Sequence, residues 1–215
     1  MKGTRERVLA EALQLFRRRG FDRTTMRDVA GAAELSLGAA YYYFASKDAI
    51  VLAYYEAQQD AHARLSRARL TESATLRARL GAVVHAKLDV LSRDRKLLAT
   101  LFRSVGDPAD PAGPFGAATR HIREGSVALF AEAIAAEPLD DETKEVAATA
   151  LWALHLGLLL YYLHDASPKQ AKTRRLVDGA LDLVAEAIPL GPLIAPITRR
   201  LTALLRESGV VGEAR

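Results

Sequence analysis

Apolar positions along the chain recur three and four residues apart, and no segment keeps the two-residue alternation of a half-buried strand. Residues 5–19 put Val8, Leu9, Ala12, Leu13 and Phe16 on one stripe, and Gly20 follows where a helix end favours glycine. Thr25 is a good N-cap for a short helix over about 26–33, in which Met26, Val29, Ala30 and Ala33 share a face. Ser36 caps a third segment through about Phe44, and Ser46 caps a fourth that starts at Lys47 and reaches about Leu70. Beyond it the pattern predicts helices near 74–92, 94–105, 115–136, 141–164, 170–188 and 194–208. Breaks fall at GDPADPAGP (106–114), EPLDD (137–141), Ser167 with Pro168, and IPLGP (188–192). With neither a repeat nor a low-complexity tract, the expected fold is all-α. Two very short helices between two longer ones mark a small head, residues 1–46, on a larger helical body, residues 47–215.

The stretch LSLGAAYYYFASK at 35–47 sets three tyrosines side by side. Successive helical side chains are about 100° apart, so Tyr41, Tyr42 and Tyr43 fan around most of the cylinder and at least one must face outward. The segments 26–33 and 36–44, joined through Glu34, Leu35 and Ser36, read as a helix-turn-helix whose second helix enters the major groove of DNA. The start of that helix, Leu37, Gly38 and Ala39, is small or apolar. It can approach closely and touch thymine methyls, but it brings few hydrogen bonds to bases. Arg27 on the preceding helix is the candidate for a bidentate guanine contact, with DNA shape supplying further specificity. Tyr41 and Tyr42 are expected on phosphates, while Tyr43 and Phe44 close the core of the head. Lys47 brings a charge to a helix start whose free N–H groups already favour anions. Thr25 and Ser36 cap their helices, and contact with phosphate is a second expectation beside capping.

Charge strengthens this picture because of where it lies. The formal net charge is +4; through Lys47 the chain has nine bases against five acids, and the remainder balances. An excess confined to the tyrosine-bearing segment suits a head that meets a polyanion, although a solvated basic surface would read the same way. Of the 215 residues half are hydrophobic, enough for a real core, and none is cysteine. That excludes a disulfide framework and thiolate chemistry and suits a cytoplasmic location. Glu6, Arg7 and Glu11 interrupt any apolar run at the N-terminus, so no export signal is expected.

The run TTMRDVAGAAELSLGAAYYYFASKDAI, preceded by Gly20 and Phe21, resembles the DNA-binding head of the TetR family of bacterial transcriptional regulators. The resemblance covers about residues 5–55 and rests on Thr25, Val29, Ala30, Ser36, Gly38, Tyr41, Phe44 and Lys47 at the family's spacing. It implies a homodimer whose helical remainder holds a ligand and supplies the dimer interface. It also implies that Thr25, Arg27, Gly38, Tyr41, Tyr42 and Lys47 face double-stranded operator DNA. Glu34 departs from the family pattern, which has glycine in this turn; a left-handed backbone there would cost on the order of 1 kcal/mol.

In the body, VAATALWALHLGLLLYYLHD at 146–165 is apolar almost all round and long enough to be weighed as a membrane span. His155 and the charges at both ends favour a helix buried on two sides within an oligomer, without a membrane. Residues 170–188 also carry a wide apolar face, and two such helices from each of two subunits would form a four-helix homodimer interface. On 141–164, Trp152, His155 and Leu159 fall at i, i+3 and i+7, a flat aromatic, an imidazole and an aliphatic wall for a small apolar or amphipathic effector. Phe102, Arg103, His121 and Tyr162 are further candidates, and the alternative for all of them is plain core packing. His85, His121, His155 and His164 show no metal-binding spacing, and neither a glycine-rich phosphate loop nor a nucleophile elbow occurs. The carboxylates Asp140, Asp141 and Glu142 suit a helix start. The expected function is therefore a ligand-responsive regulator without cofactor, metal or catalytic residues. A repressor is favoured over an activator of the same fold, because occluding a promoter needs no further surface; an enzyme and a protein-only adaptor are the more distant alternatives.

Overall fold

The apolar stripes become helices in the computed structural model, which describes residues 3–102 and 112–190 and, beyond them, Arg200, Ala203, Leu204 and Glu207. In chain order these are α1 (Thr4–Arg19), α2 (Met26–Ala32), α3 (Leu37–Tyr43), α4 (Lys47–Leu70), α5 (Leu76–Leu91), α6 (Arg95–Leu101), α7 (Arg120–Ile134), α8 (Asp141–His164) and α9 (Ala171–Ala187). Single 3-10 turns occupy Pro168–Gln170 and Ile188–Leu190. No strand occurs among the described residues, and the fold is all-α.

Local chemistry accounts for most boundaries. Thr25 and Asp28 form a reciprocal capping box at the start of α2, the Asp28 N–H donating to Thr25 Oγ1 (3.2 Å) and the Thr25 N–H to Asp28 Oδ2 (2.8 Å). Ser36 and Ser46 accept from the N–H of Ala39 and Ala49, each at 3.1 Å. Asp140 does the same for Thr143 at 2.7 Å, which starts α8 where the sequence places it. Two expectations are corrected. The helix expected from 115 begins at Arg120, because Pro114 and Gly116 favour a turn, closed by Gly116 N–H to the Gly113 carbonyl (2.9 Å). The helix expected over 94–105 is helical over Arg95–Leu101, and Arg103 lies outside the described residues. So does most of the expected helix 194–208, of which Arg200, Ala203, Leu204 and Glu207 are helical.

The chain forms two compact units, Met1–Asp60 with Leu91–Arg123, and Ala61–Val90 with Glu124–Arg215. In the first, α1 packs on α2 and α3 through Val8, Ala12, Phe16, Val29, Ala40 and Phe44, all at most 3% exposed. Full burial of the valines and phenylalanines among them is worth about 1.5–3 kcal/mol each, which helps to fix two seven-residue helices that could not stand alone. Asp94, at the start of α6, ties this unit together: Arg17 donates to both its oxygens (2.7 and 3.0 Å) and the Tyr54 hydroxyl donates at 3.1 Å. Burial and the Asp94 charge push the Tyr54 hydroxyl's pKa well above the ordinary phenol range. The second unit is built on Leu80, Val83 and Leu88 of α5, Leu129 and Phe130 of α7, and the inner face of α8. There the Tyr162 hydroxyl donates to the Leu88 carbonyl at 3.2 Å.

Candidate nucleic-acid interface and effector face

The orientation of α3 follows from its two apolar anchors. Ala40 and Phe44, one turn apart, are 0% and 3% exposed, so the opposite side of the helix points to solvent. That side carries Leu37, Gly38, Tyr41 and Tyr42, with Ala39 half-buried beside them. Tyr42 is 83% exposed and Tyr41 48%, high values for phenol rings. Tyr43 is half-buried, its ring edge-on to Tyr42 at 5.2 Å. A Cβ built on Gly38 meets nothing within 4 Å, so no internal contact requires a glycine there.

The other head residues divide between structural work and freedom. Arg27 is exposed in the first turn of α2 and makes no ion pair among the described residues. Thr25 and Ser36 are exposed caps. Lys47 Nζ donates to the Phe21 carbonyl at 2.8 Å and sits 4.3 Å from the Phe21 ring centre, which leaves two of its three N–H donors for an outside anion. Arg5 lies 4.7 Å above the Phe44 ring. Part of the formal excess is used within the unit: Arg17 is neutralised by Asp94, and Arg19 lies 3.7 Å from Asp28. The turn after α2 is left-handed, with Glu34 at φ 54°. The Leu35 N–H reaches the Ala30 carbonyl (2.9 Å) and the Glu34 N–H reaches that of Gly31 (3.2 Å), the paired bonds of a Schellman helix end without its usual glycine.

In the second unit, Trp152, His155, Leu159 and Tyr162 share the buried face of α8, none more than 6% exposed. Phe102 and His121 belong to the first unit. There Phe102 packs edge-on against Tyr55 (5.6 Å) and the exposed His121 pairs with Glu56 (3.2 Å). Residues that the pattern did not point to join His155. His62 of α4 stacks on it at 6.0 Å with 5° between planes, and its Nε2 proton goes to the Val83 carbonyl (3.0 Å). Burial, Lys87 of α5 and His155 pull the His62 pKa down to about 2, and burial with Lys87 brings His155 to about 3. Lys87 itself is lowered by burial to about 8. Both imidazoles are therefore neutral near pH 7 and can offer one donor and one acceptor each. A buried polar residue on a helix with little one-sidedness looks like a solvent-facing one in sequence, which is why His62 and Lys87 gave no signal.

The α8 helix is long and apolar enough to cross a membrane by composition, yet half of that window is buried within the fold. It matches a core helix on the second count.

Comparison with known proteins covers both halves of the chain. The family described as "Bacterial regulatory proteins, tetR family" matches residues 8–54, and "Tetracyclin repressor-like, C-terminal domain" matches 79–199. Among curated relatives, the probable HTH-type transcriptional regulator ArpR of Pseudomonas putida is 31% identical over 102 residues, 47% of this chain and 42% of that protein. The HTH-type transcriptional regulator TtgR, also of Pseudomonas putida, is 30% identical over the same extent of each. The chain thus spans less than half the length of these relatives. Solved structures of similar fold include the fatty acid degradation regulator FadR of Bacillus halodurans, with TM-score 0.66, 16% identity, 84% of this chain and 96% of that one. Thermus thermophilus FadR, in complex with lauroyl-CoA, gives TM-score 0.59 and 24% identity over 80% of this chain and 92% of that one.

Proposed function

The chain belongs to the TetR family of bacterial transcriptional regulators, and from that premise we propose that it binds a twofold operator as a homodimer and is released by a small amphipathic effector. The observation that carries the reading is the outward face of α3, where Leu37, Tyr41 and Tyr42 stand open to solvent around a bare Gly38. A monomer has no use for such an apolar, aromatic surface, whereas a groove does. In this reading residues 1–46 bind DNA. Tyr41, Tyr42 and Lys47 hold phosphates, with Thr25 and Ser36 adding theirs beyond capping; Leu37, Gly38 and Ala39 lie against base edges, and Arg27 reads guanine.

Residues 47–215 supply dimerisation and effector binding. Leu154 and Tyr161 on α8 and Leu176 and Leu183 on α9 are exposed apolar side chains, with Leu183 at 70%, and they support a four-helix interface between two copies. The buried face of Trp152, His155, Leu159 and Tyr162 supports an effector with a large apolar part, as does the lauroyl-CoA held by the Thermus thermophilus protein of like fold. Repression is favoured because a dimer seated on a promoter excludes other proteins without further contacts. Acting on bacterial DNA, it would work in the cytoplasm. The test is a gel shift on the chain's own promoter region followed by genome-wide mapping of bound DNA. Two chains per twofold site, with random DNA competing poorly, is the expected result; equal affinity for random DNA would sink the proposal.

A further inference from the structure

The buried face of α8 carries a polar residue with nothing to bond. His155 is 4% exposed, and neither of its ring nitrogens has a hydrogen-bond partner among the described residues. His62 of α4 stacks on it at 6.0 Å. Ser66 lies one turn further along the same face of α4, 0% exposed, and its hydroxyl is equally unmet among the described residues. Native chains pair nearly all buried donors and acceptors, because each gives up its water on burial and a missing bond is not recovered. The neighbours of His155 are otherwise apolar. The Phe130 ring of α7 lies 5.6 Å away, and Trp152 and Leu159 share its face of α8.

Water fills such a place poorly, since it needs about two to four polar partners. The two nitrogens of an imidazole face different directions, so a water at either one finds, among the open groups, that atom and at best the Ser66 hydroxyl. A molecule that brings polar atoms on an apolar frame fits better, and the imidazole restricts its head group. Buried and in no ion pair among the described residues, His155 is neutral near pH 7, so one nitrogen donates and the other accepts. A carboxylate or phosphate only accepts, which leaves the bare nitrogen facing lone pairs. An ammonium only donates, which strands the N–H. Either would also bring a whole charge to a place where no charged side chain hydrogen-bonds to His155 or Ser66 among the described residues. An amide or a hydroxyl donates and accepts while staying neutral. We propose that His155 and Ser66, with His62 stacked against the ring, bind the head of the effector, and that this head is an uncharged group that both donates and accepts hydrogen bonds on an otherwise apolar molecule. The inference deepens the effector-responsive reading above and rests on it.

Octanamide, methyl octanoate and octanoate share an acyl chain and differ in the head: the amide donates and accepts, the ester only accepts, and the acid anion accepts and is charged. Each is titrated into the full chain, followed by calorimetry and by emission of its single tryptophan, Trp152. Wild type should bind octanamide roughly tenfold more tightly than either of the others. His155→Phe keeps a ring against His62 and Phe130 and removes both nitrogens. It should bring octanamide to within about twofold of the ester, whose own affinity changes little. Ser66→Ala should weaken octanamide severalfold and melt no lower than wild type without ligand, because the hydroxyl it loses has no partner; a clear drop would mean that water already satisfies the site, and would overturn it. Equal affinity for amide and ester, octanoate as tight as octanamide, no binding of octanamide, or a preference that survives His155→Phe would each overturn it too. Should His155→Phe fail to fold, the wild-type comparison and Ser66→Ala decide alone. Operator binding in the same samples keeps the two readings apart. A His155-dependent preference for the amide without any change in operator affinity upholds the site and sinks the effector reading. Release of operator by the ester or the acid as readily as by the amide overturns the site alone.

Discussion

Gly38 is a residue whose identity the fold does not demand. Its φ is not positive and a Cβ there would meet open space, while glycine in a helix is worth about 0.5–1 kcal/mol less than alanine. The cost makes sense when the backbone of α3 must lie close to something outside the chain. Gly38→Ala should therefore leave thermal stability equal or slightly higher and weaken operator binding, as read by melting and by anisotropy titration; unchanged operator affinity would show that α3 does not approach so closely. Glu34 is the reverse case, a side chain where the backbone asks for none. At φ 54° its left-handed turn costs on the order of 1 kcal/mol, partly offset in any glycine variant by a freer unfolded chain. Glu34→Gly is expected to raise the urea midpoint, by up to about 1 kcal/mol in stability. Arg27 and Tyr42 differ in what they would report: Arg27→Ala should relax preference for one base pair per half-site at roughly 1–3 kcal/mol, and Tyr42→Phe should weaken all DNA alike. An equal loss on specific and random DNA for Arg27→Ala would make it another phosphate contact.

Between elements, the junction of α8 and α9 depends on one carboxylate. Buried Asp165 accepts from the N–H of Ser167 (2.8 Å) and from the N–H and hydroxyl of Thr173 (2.9 and 2.7 Å). Burial opposes its ionisation, but those bonds outweigh it and hold its pKa well below the usual carboxylate range. A folded pKa below the unfolded value of about 4 means that the contribution is complete above that pH, shrinks progressively below it and is lost only as pH falls through the folded pKa. Urea titrations of wild type and Asp165→Asn should therefore differ most at pH 7 and by progressively less as pH is lowered below about 4; a gap that stays constant down to the lowest pH at which the protein folds would count against the carboxylate's charge as the cause. The elements themselves were legible where their ends carry chemistry: Asp140 and the turn at Ser167 and Pro168 frame a helix that the apolar spacing alone would have left open-ended. The outward turn of Tyr41 and Tyr42 was legible too, from the step of about 100° between three successive tyrosines and from Phe44 as a core residue. His62, Ser66 and Lys87 were not, since α4 and α5 bury polar residues at positions that sequence spacing cannot tell from solvent-facing ones. Nor could spacing reveal that Phe102 and His121 pair within the first unit with Tyr55 and Glu56.

For the whole molecule, function is a difference between states. Two heads that neutralise phosphates release counterions, so operator affinity should fall by orders of magnitude between low and moderate salt, at a slope of about 0.9 per phosphate held. Effector control adds a second equilibrium. The α4 helix runs from Lys47 in the first unit to Leu70 in the second, so the proposed effector control would act through a helix common to both. A ligand releases DNA only to the extent that it prefers the released state, and a coupling of about 1–3 kcal/mol changes operator affinity roughly 5 to 150-fold. The same factor must appear in reverse, since linkage is reciprocal. We therefore expect an effector to change Trp152 emission, to weaken operator binding while the dimer persists in sedimentation, and to bind more weakly by that same factor when saturating operator is present. If the true inducer leaves Trp152 emission unaltered, and Trp152→Leu and His155→Ala still respond to it normally, then the inner face of α8 is core and the effector is held elsewhere.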